Sequence, residues 1–330
     1  GTLDYADGKL QLKNNISDKC YVYFDRVLTL ATYIKGLYTT QGSNGLYYHD
    51  ASLANGAGDN SYRYSGANPD NYVCFGSNES PCPTDNLYRI IGVFGDKVKL
   101  IKSDYANSNL LGTDGDYGGS ATPEAANYKG SLTTINTYYW NYNATNNGSN
   151  TWSTSLLNKT NLNTNFITNI GTEWANKIAT TTWKVGGNTL DNISKVVPAT
   201  AYQNEIVNPV TTNTTDNATE YPAKIGLMYA SDYGFAADPS AWTTTLYDYD
   251  GSVNGSTISS LNWMHMGGYT EWPISRSSSY AYGVFDVGSP GYVGTSNASN
   301  AYVVRPSFNL VSSITYASGD GTASSPIRIG

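Results

Sequence analysis

The residues able to do covalent or metal chemistry are few. Among 330 residues there are two histidines and three cysteines. A Ser-His-Asp hydrolase would have to take His49 or His265 as its base, and no G-x-S-x-G elbow leads into a helix. His265 stands between Met264 and Met266 in an apolar run and reads as a core or loop-foot residue. His49, in L-Y-Y-H-D-A, reads as part of a surface turn. A glycosidase needs two carboxylates facing across a cleft; acids are available, but no motif singles out a pair. The two-acid loops T-D-G-D (113–116) and D-Y-D-G (248–251) are too short for an EF-hand and read as Asp-Gly turns. Gly-rich tracts such as Y-G-G-S do not follow a strand and open a helix, so a phosphate cradle is not expected. The expectation is no enzyme, no cofactor and no metal.

Cysteine spacing points to structure instead. Cys74 and Cys82 bracket C-F-G-S-N-E-S-P-C, a small loop carrying Gly and Pro. That spacing is not a zinc pattern. It suits a local disulfide in an oxidising compartment, the alternative being two free thiols. Cys20 is left over, and Gly1 begins in mid-pattern. The chain therefore reads as a fragment, with the partner of Cys20, a secretion signal and an anchor expected elsewhere. It contains no apolar run of 18 or more residues, so no membrane insertion by this fragment is expected.

The positive signal is composition. Charged residues make up 14% of the chain, against roughly 25% in ordinary soluble domains. There are 29 Tyr and 33 Gly, and the net charge is -7. With no basic stripe to release phosphate counterions, nucleic acid is not expected as a partner. Tyr, Ser, Gly and Asn concentrate between Trp263 and Leu310, the mixture that builds adaptable recognition surfaces. Trp263, Trp272 and Val303–Leu310 look like the framework on either side. Arg276 and Arg305 could fork onto an anionic ligand; among apolar and small residues they read rather as buried framework arginines. Tyr138, Tyr139, Trp140 and Tyr142 form a second aromatic group. Trp140, Trp263 and Trp272 are expected in the core, and Tyr280, Tyr282 and Tyr292 nearer the surface.

Several elements must hold these residues. Residues 1–25 alternate in two runs, G-K-L-Q-L-K and K-C-Y-V-Y-F, joined across N-N-I-S-D. They read as a β-hairpin left from a preceding β-sandwich module. Val27, Leu30, Ala31, Ile34, Leu37 and Tyr38 recur at helical spacing. N-L-Y-R-I-I-G-V-F-G-D-K-V-K-L-I-K predicts a hairpin about Gly95-Asp96. Residues 152–183 predict one or two short helices, 186–220 and 234–260 irregular loops, 223–233 a buried strand and turn, and the end a last short strand. The sum is an α+β domain over 26–330.

At the level of motifs the chain resembles a family of uncharacterised secreted or surface proteins of gut Firmicutes. The resemblance covers roughly 26–330 and rests on Y-I-K-G-L-Y-T, D-N-S-Y-R-Y-S-G-A-N-P-D-N-Y-V-C-F, N-L-Y-R-I-I-G-V-F, G-L-M-Y-A-S-D-Y, W-P-I-S-R-S-S-S-Y, V-V-R-P-S-F-N-L and G-D-G-T-A-S-S-P-I-R-I. The R-S and V-R-P-S-F-N-L pair is also similar to the end of C-type-lectin-like domains, including the variable proteins of diversity-generating retroelements. The resemblance implies a C-type-lectin-like fold: two helices, a small antiparallel sheet and long ligand-binding loops. Carried onto this chain, the variable positions are Tyr269, Glu271, Ser277, Ser278, Ser279, Tyr280, Tyr282, Asp286, Ser289, Tyr292, Asn297, Ser299, Asn300 and Tyr302. The sugar-coordinating E-P-N and W-N-D signatures are absent, and no cysteine follows Cys82, which removes formylglycine-generating chemistry. The function expected is extracellular or cell-surface recognition of a host or bacterial protein or glycan. A structural subunit of a surface layer, pilus or filament is the main alternative, and a glycan-active enzyme a more distant one.

Overall fold

The computed structural model describes residues 2–6, 9–13, 27–113, 128–132, 135–142, 148–209, 218–250 and 257–330. It is a mixed α+β structure of several small sheets and few helices, as the spacing predicts at that level. At the start, Lys9–Lys13 is a strand, but its antiparallel partner is Thr2–Ala6. The partner expected downstream of it lies outside the described residues, as does Cys20.

Thr29 opens the first helix of the main body, Leu30–Leu37, by accepting the Thr32 N–H on its side chain. Leu30, Ala31 and Ile34 are buried along one stripe, the amphipathic face that the spacing requires. The hairpin about Gly95-Asp96 forms between Leu87–Phe94 and Lys97–Lys102. It is the centre of a seven-stranded sheet. On one side follow Ser307–Asn309 and Ile225–Gly226; on the other, Ser61–Tyr64 and Leu46–His49. Tyr72–Cys74 also pairs with Leu87–Phe94. Every pairing in this sheet is antiparallel. Gly92 lets the Ser61–Tyr64 strand approach: a Cβ there would lie 2.4 Å from the Tyr62 carbonyl oxygen.

The two ends of the main body are joined. Leu30 N–H donates to Ile314 O at 2.7 Å, Tyr316 N–H donates to Leu28 O at 3.0 Å, and Tyr33 stacks on Tyr316 at 3.7 Å. The Cys74–Cys82 disulfide is formed, with Cα atoms 5.9 Å apart. No helix among the described residues is long and apolar enough to cross a membrane.

Residues 152–183 hold short helices, as expected: Thr172–Asn176 follows Gly171 (φ 80°), and before it Ile167–Asn169 continues one wide helix of π type, Leu157–Phe166. Its Asn side chains reach backbone carbonyls instead of solvent: Asn161 and Asn165 both donate to Leu111 O. Two local readings are corrected. The turn expected after the strand at 225 is a buried helix, Ala230–Ala236. It starts because the Asp232 carboxylate reaches back to the Tyr229 N–H at 2.9 Å. His49 is not in a surface turn. It ends the strand Leu46–His49, fully buried against Phe235 and Trp242, and its Nδ1 accepts the Ala57 N–H at 3.0 Å.

Beneath that helix runs a chain of buried charges. Asp59 pairs with Arg63 at 2.7 Å, Arg63 faces Asp232 at 3.6 Å, and Asp232 accepts from Lys99 at 2.5 Å. The Arg63 guanidinium also lies over Phe94, Tyr202 and Phe235. The alternating signs let Arg63, Asp232 and Lys99 stay buried, with half-buried Asp59 at the end of the row, because each has an opposite neighbour.

Candidate recognition surface

The stretch 263–310 is anchored by large buried side chains. Trp263 Nε1 donates to Tyr64 O at 2.8 Å and Trp272 Nε1 to Tyr138 O at 2.9 Å, so both indoles tie the stretch to earlier strands. Arg305 forks onto Glu271, Nε to Oε1 at 2.8 Å and Nη2 to Oε2 at 2.9 Å, and Nη2 also donates to Met264 O. Burial alone would lower the Arg305 pKa; the Glu271 carboxylate outweighs it and raises it. Glu271 N–H and C=O both bond Val287, and Trp272 N–H bonds Val303 O. These contacts clamp residues 270–272 between two strands of the stretch.

The second sheet grows from that clamp. Gly283–Val287 and Val293–Asn297 form a hairpin; Arg276–Ser277 pairs with its first strand and, in parallel, with Gly187–Asn188. Ala301–Tyr302 crosses to pair with Tyr138–Tyr139 of the strand Ile135–Tyr139. The aromatic group at 138–142 and the Tyr-rich stretch, far apart in the chain, therefore meet in one sheet.

The predicted binding residues divide by depth. Ser279, Tyr280 and Ser289 are exposed, Tyr280 by 57%. Tyr269, Ser278, Tyr282, Tyr292, Asn297, Ser299, Asn300 and Tyr302 are half-buried. Glu271, Ser277 and Asp286 are buried and are corrected from contact residues to supports. Glu271 holds Arg305, and Ser277 Oγ accepts the Ser279 N–H. Asp286 accepts from Ser296, and burial pushes its carboxyl up to about 6. Tyr292 lies across Gly288 and Gly294, where a Cβ would meet its ring at 2.6 and 2.8 Å. Small residues there let the ring lie flat over the hairpin.

The surviving residues form an aromatic surface with a cleft. Tyr280 and Tyr282 stack with ring centres 5.6 Å apart, and Tyr292 meets Tyr247 at 6.1 Å. Tyr302 packs on Trp272 at 4.4 Å and turns its hydroxyl to Ser296 and Asn300. A cleft of about 230 Å³ is lined by Tyr269, Thr270, Ser289, Tyr302 and Thr137, among others. Tyr105 backs Tyr269 edge-on at 6.0 Å, and His265 Nε2 bonds Ser289 O at 3.0 Å, a loop-foot position. Thr137, Tyr105 and Tyr247 escape a sequence reading because only the pairing of 301–302 with 138–139 and the packing of distant loops bring them here. Their shared signal, Tyr or Thr in polar segments, is common throughout the chain.

A second cleft, of about 200 Å³, lies beside the buried charges and is lined by Trp183, Tyr202, Tyr229 and Lys99. The Lys99 ammonium sits 4.5 Å from the Tyr229 ring centre and is held by Asp232. Among the described residues no group of three or more His, Cys, Asp or Glu is placed to hold a metal. No protein-family model, curated protein or solved structure matches the chain.

Proposed function

We propose that the chain is an extracellular recognition domain of C-type-lectin-like architecture. It binds a protein or glycan on a host or bacterial surface through its Tyr-, Ser- and Asn-bearing end. One observation carries this reading: a stretch far apart from its neighbours in sequence is clamped by Trp263, Trp272 and the Arg305–Glu271 pair, yet turns Tyr280, Tyr282, Tyr292 and the Tyr269–Tyr302 cleft outward. Rigid aromatic rings beside small hydroxyl and amide side chains give contact area at low entropy cost. Tyr faces can stack on sugar rings or anchor a protein epitope.

The outward positions also fit a surface that varies between copies of the locus, because the supports below them are buried and separate. Identical codons at these positions in several isolates would remove that part of the proposal. Binding itself is tested by presenting the purified chain to arrayed glycans and to host and bacterial surface proteins. Saturable binding to a defined ligand is expected. No binding on any array, together with filaments or sheets seen by electron microscopy, would instead make the surface a self-assembly face.

A further inference from the structure

Arg276 begins the strand that leads into the Tyr280 loop, and its own polar atoms are only partly used. Its Nε donates to Val185 O at 2.7 Å. Nη1 and Nη2 are buried and have no hydrogen-bond partner among the described residues, and the same holds for Nε1 of buried Trp152. Both side chains line one small cavity, together with Thr151, Ser153, Val185 and Tyr221. Its volume is about 10 Å³, room for one occupant of roughly water size. Gly187 keeps space beside the guanidinium: a Cβ there would sit 2.9 Å from Nη1. Burial lowers the Arg276 pKa to about 10, which leaves it charged at neutral pH.

The cavity is thus bordered by a guanidinium and an indole whose Nη1, Nη2 and Nε1 are buried without a partner, and by a positive charge that no described carboxylate pairs with. The hydroxyls of Thr151, Ser153 and Tyr221 on its wall can donate as well. A water molecule accepts few of these hydrogens and neutralises no charge. A small anion does both, and the size of the space shuts out sulfate and phosphate. We propose that the cavity binds one monatomic anion of halide size, held by Arg276 and Trp152.

The position gives such an ion a role. Asn150, two residues before Trp152, donates its amide to the carbonyls of Ser277, Tyr280 and Gly283. Arg276 enters the same loop from its other end. The ion would join the two segments that hold the base of the Tyr280 loop. The site stands whether or not that loop binds a ligand, and its test does not read ligand binding.

Crystals of the chain grown in sodium bromide should show an anomalous-scattering peak within hydrogen-bond range of Arg276 Nη and Trp152 Nε1. In solution the melting temperature should rise with chloride or bromide relative to gluconate at equal ionic strength. Arg276→Met should abolish that halide-specific rise. Trp152→Phe, which keeps an aromatic ring but loses the donor, should move the half-saturating halide concentration upward by about tenfold, one lost hydrogen bond to a charge, and it serves if the Met variant does not fold. A bromide crystal with no peak in the cavity, or a halide response unchanged in the Phe variant, would overturn the proposal and leave the cavity to water.

Discussion

Glu205 shows how the buried supports set the pH behaviour of the molecule. It is fully enclosed, accepts from Ser231 N–H, Ser231 Oγ and Ser275 Oγ, and burial pushes its carboxyl up to about 7 from an ordinary 4.5. The folded state therefore holds a proton that the unfolded chain has released. The stability it contributes is complete below pH 4.5 and is lost as pH rises to about 7, a loss of about 3 kcal/mol. Asp286 acts in the same direction up to about 6. His49 opposes both: burial first, then Arg63, lowers its pKa to about 3, so its stabilisation is present above 6.5 and lost as pH falls. Melting curves across pH 4–9 should show Glu205→Gln more stable than wild type at pH 8, with the two converging near pH 4.5. A Gln variant less stable than wild type at pH 8 would mean that the ionised carboxylate is the favoured form. Cutting Arg305 to Ala leaves Glu271 buried without its partner and should cost about 3–5 kcal/mol by denaturant unfolding. The framework role of Arg305 was legible from its apolar neighbours. The burial of Glu271 was not, because an acid beside Trp and Pro gives no sign of a partner 34 residues away.

In the Tyr280 loop one side-chain amide, that of Asn150, holds three backbone carbonyls. Asn150→Ala strips the Ser277, Tyr280 and Gly283 carbonyls of a shared donor. It should destabilise by about 1–3 kcal/mol, with faster hydrogen exchange concentrated at 277–283. Uniform exchange across the molecule would contradict the local role. The Cys74–Cys82 bridge closes a loop after the strand Tyr72–Cys74, against Arg328. Reducing it should lower stability by roughly 2–3 kcal/mol, from the loop entropy released in the unfolded chain, while leaving the recognition surface unchanged. The bridge, the helix Leu30–Leu37 and the hairpin about Gly95-Asp96 were legible because each is specified by residues close in sequence. The helix Ala230–Ala236 was not. Its start is set by Asp232, but its burial on every side, glycine included, erases the amphipathic spacing that announces a surface helix.

At the scale of the whole molecule, the sheets join strands from opposite ends of the chain. Ser307–Asn309 enters the main sheet beside Lys97–Lys102, and Ala301–Tyr302 pairs with Tyr138–Tyr139. No local pattern encodes such pairings, so the Tyr269–Tyr302 cleft and its Thr137 wall could not be read from composition. What could be read was the framework side of the division of 263–310, since large apolar side chains sort inward; on its outward side Glu271, Ser277 and Asp286 were misplaced, being buried. That division is the central claim, and a triple variant tests it. Binding to an arrayed ligand and the melting temperature should be measured for wild type and for Tyr280→Ala/Tyr282→Ala/Tyr292→Ala together. Loss of binding with a melting temperature nearly unchanged is the expected result. Undiminished binding, or a collapse of the melting temperature, would contradict the claim, by taking these tyrosines out of the contact surface or putting them into the core.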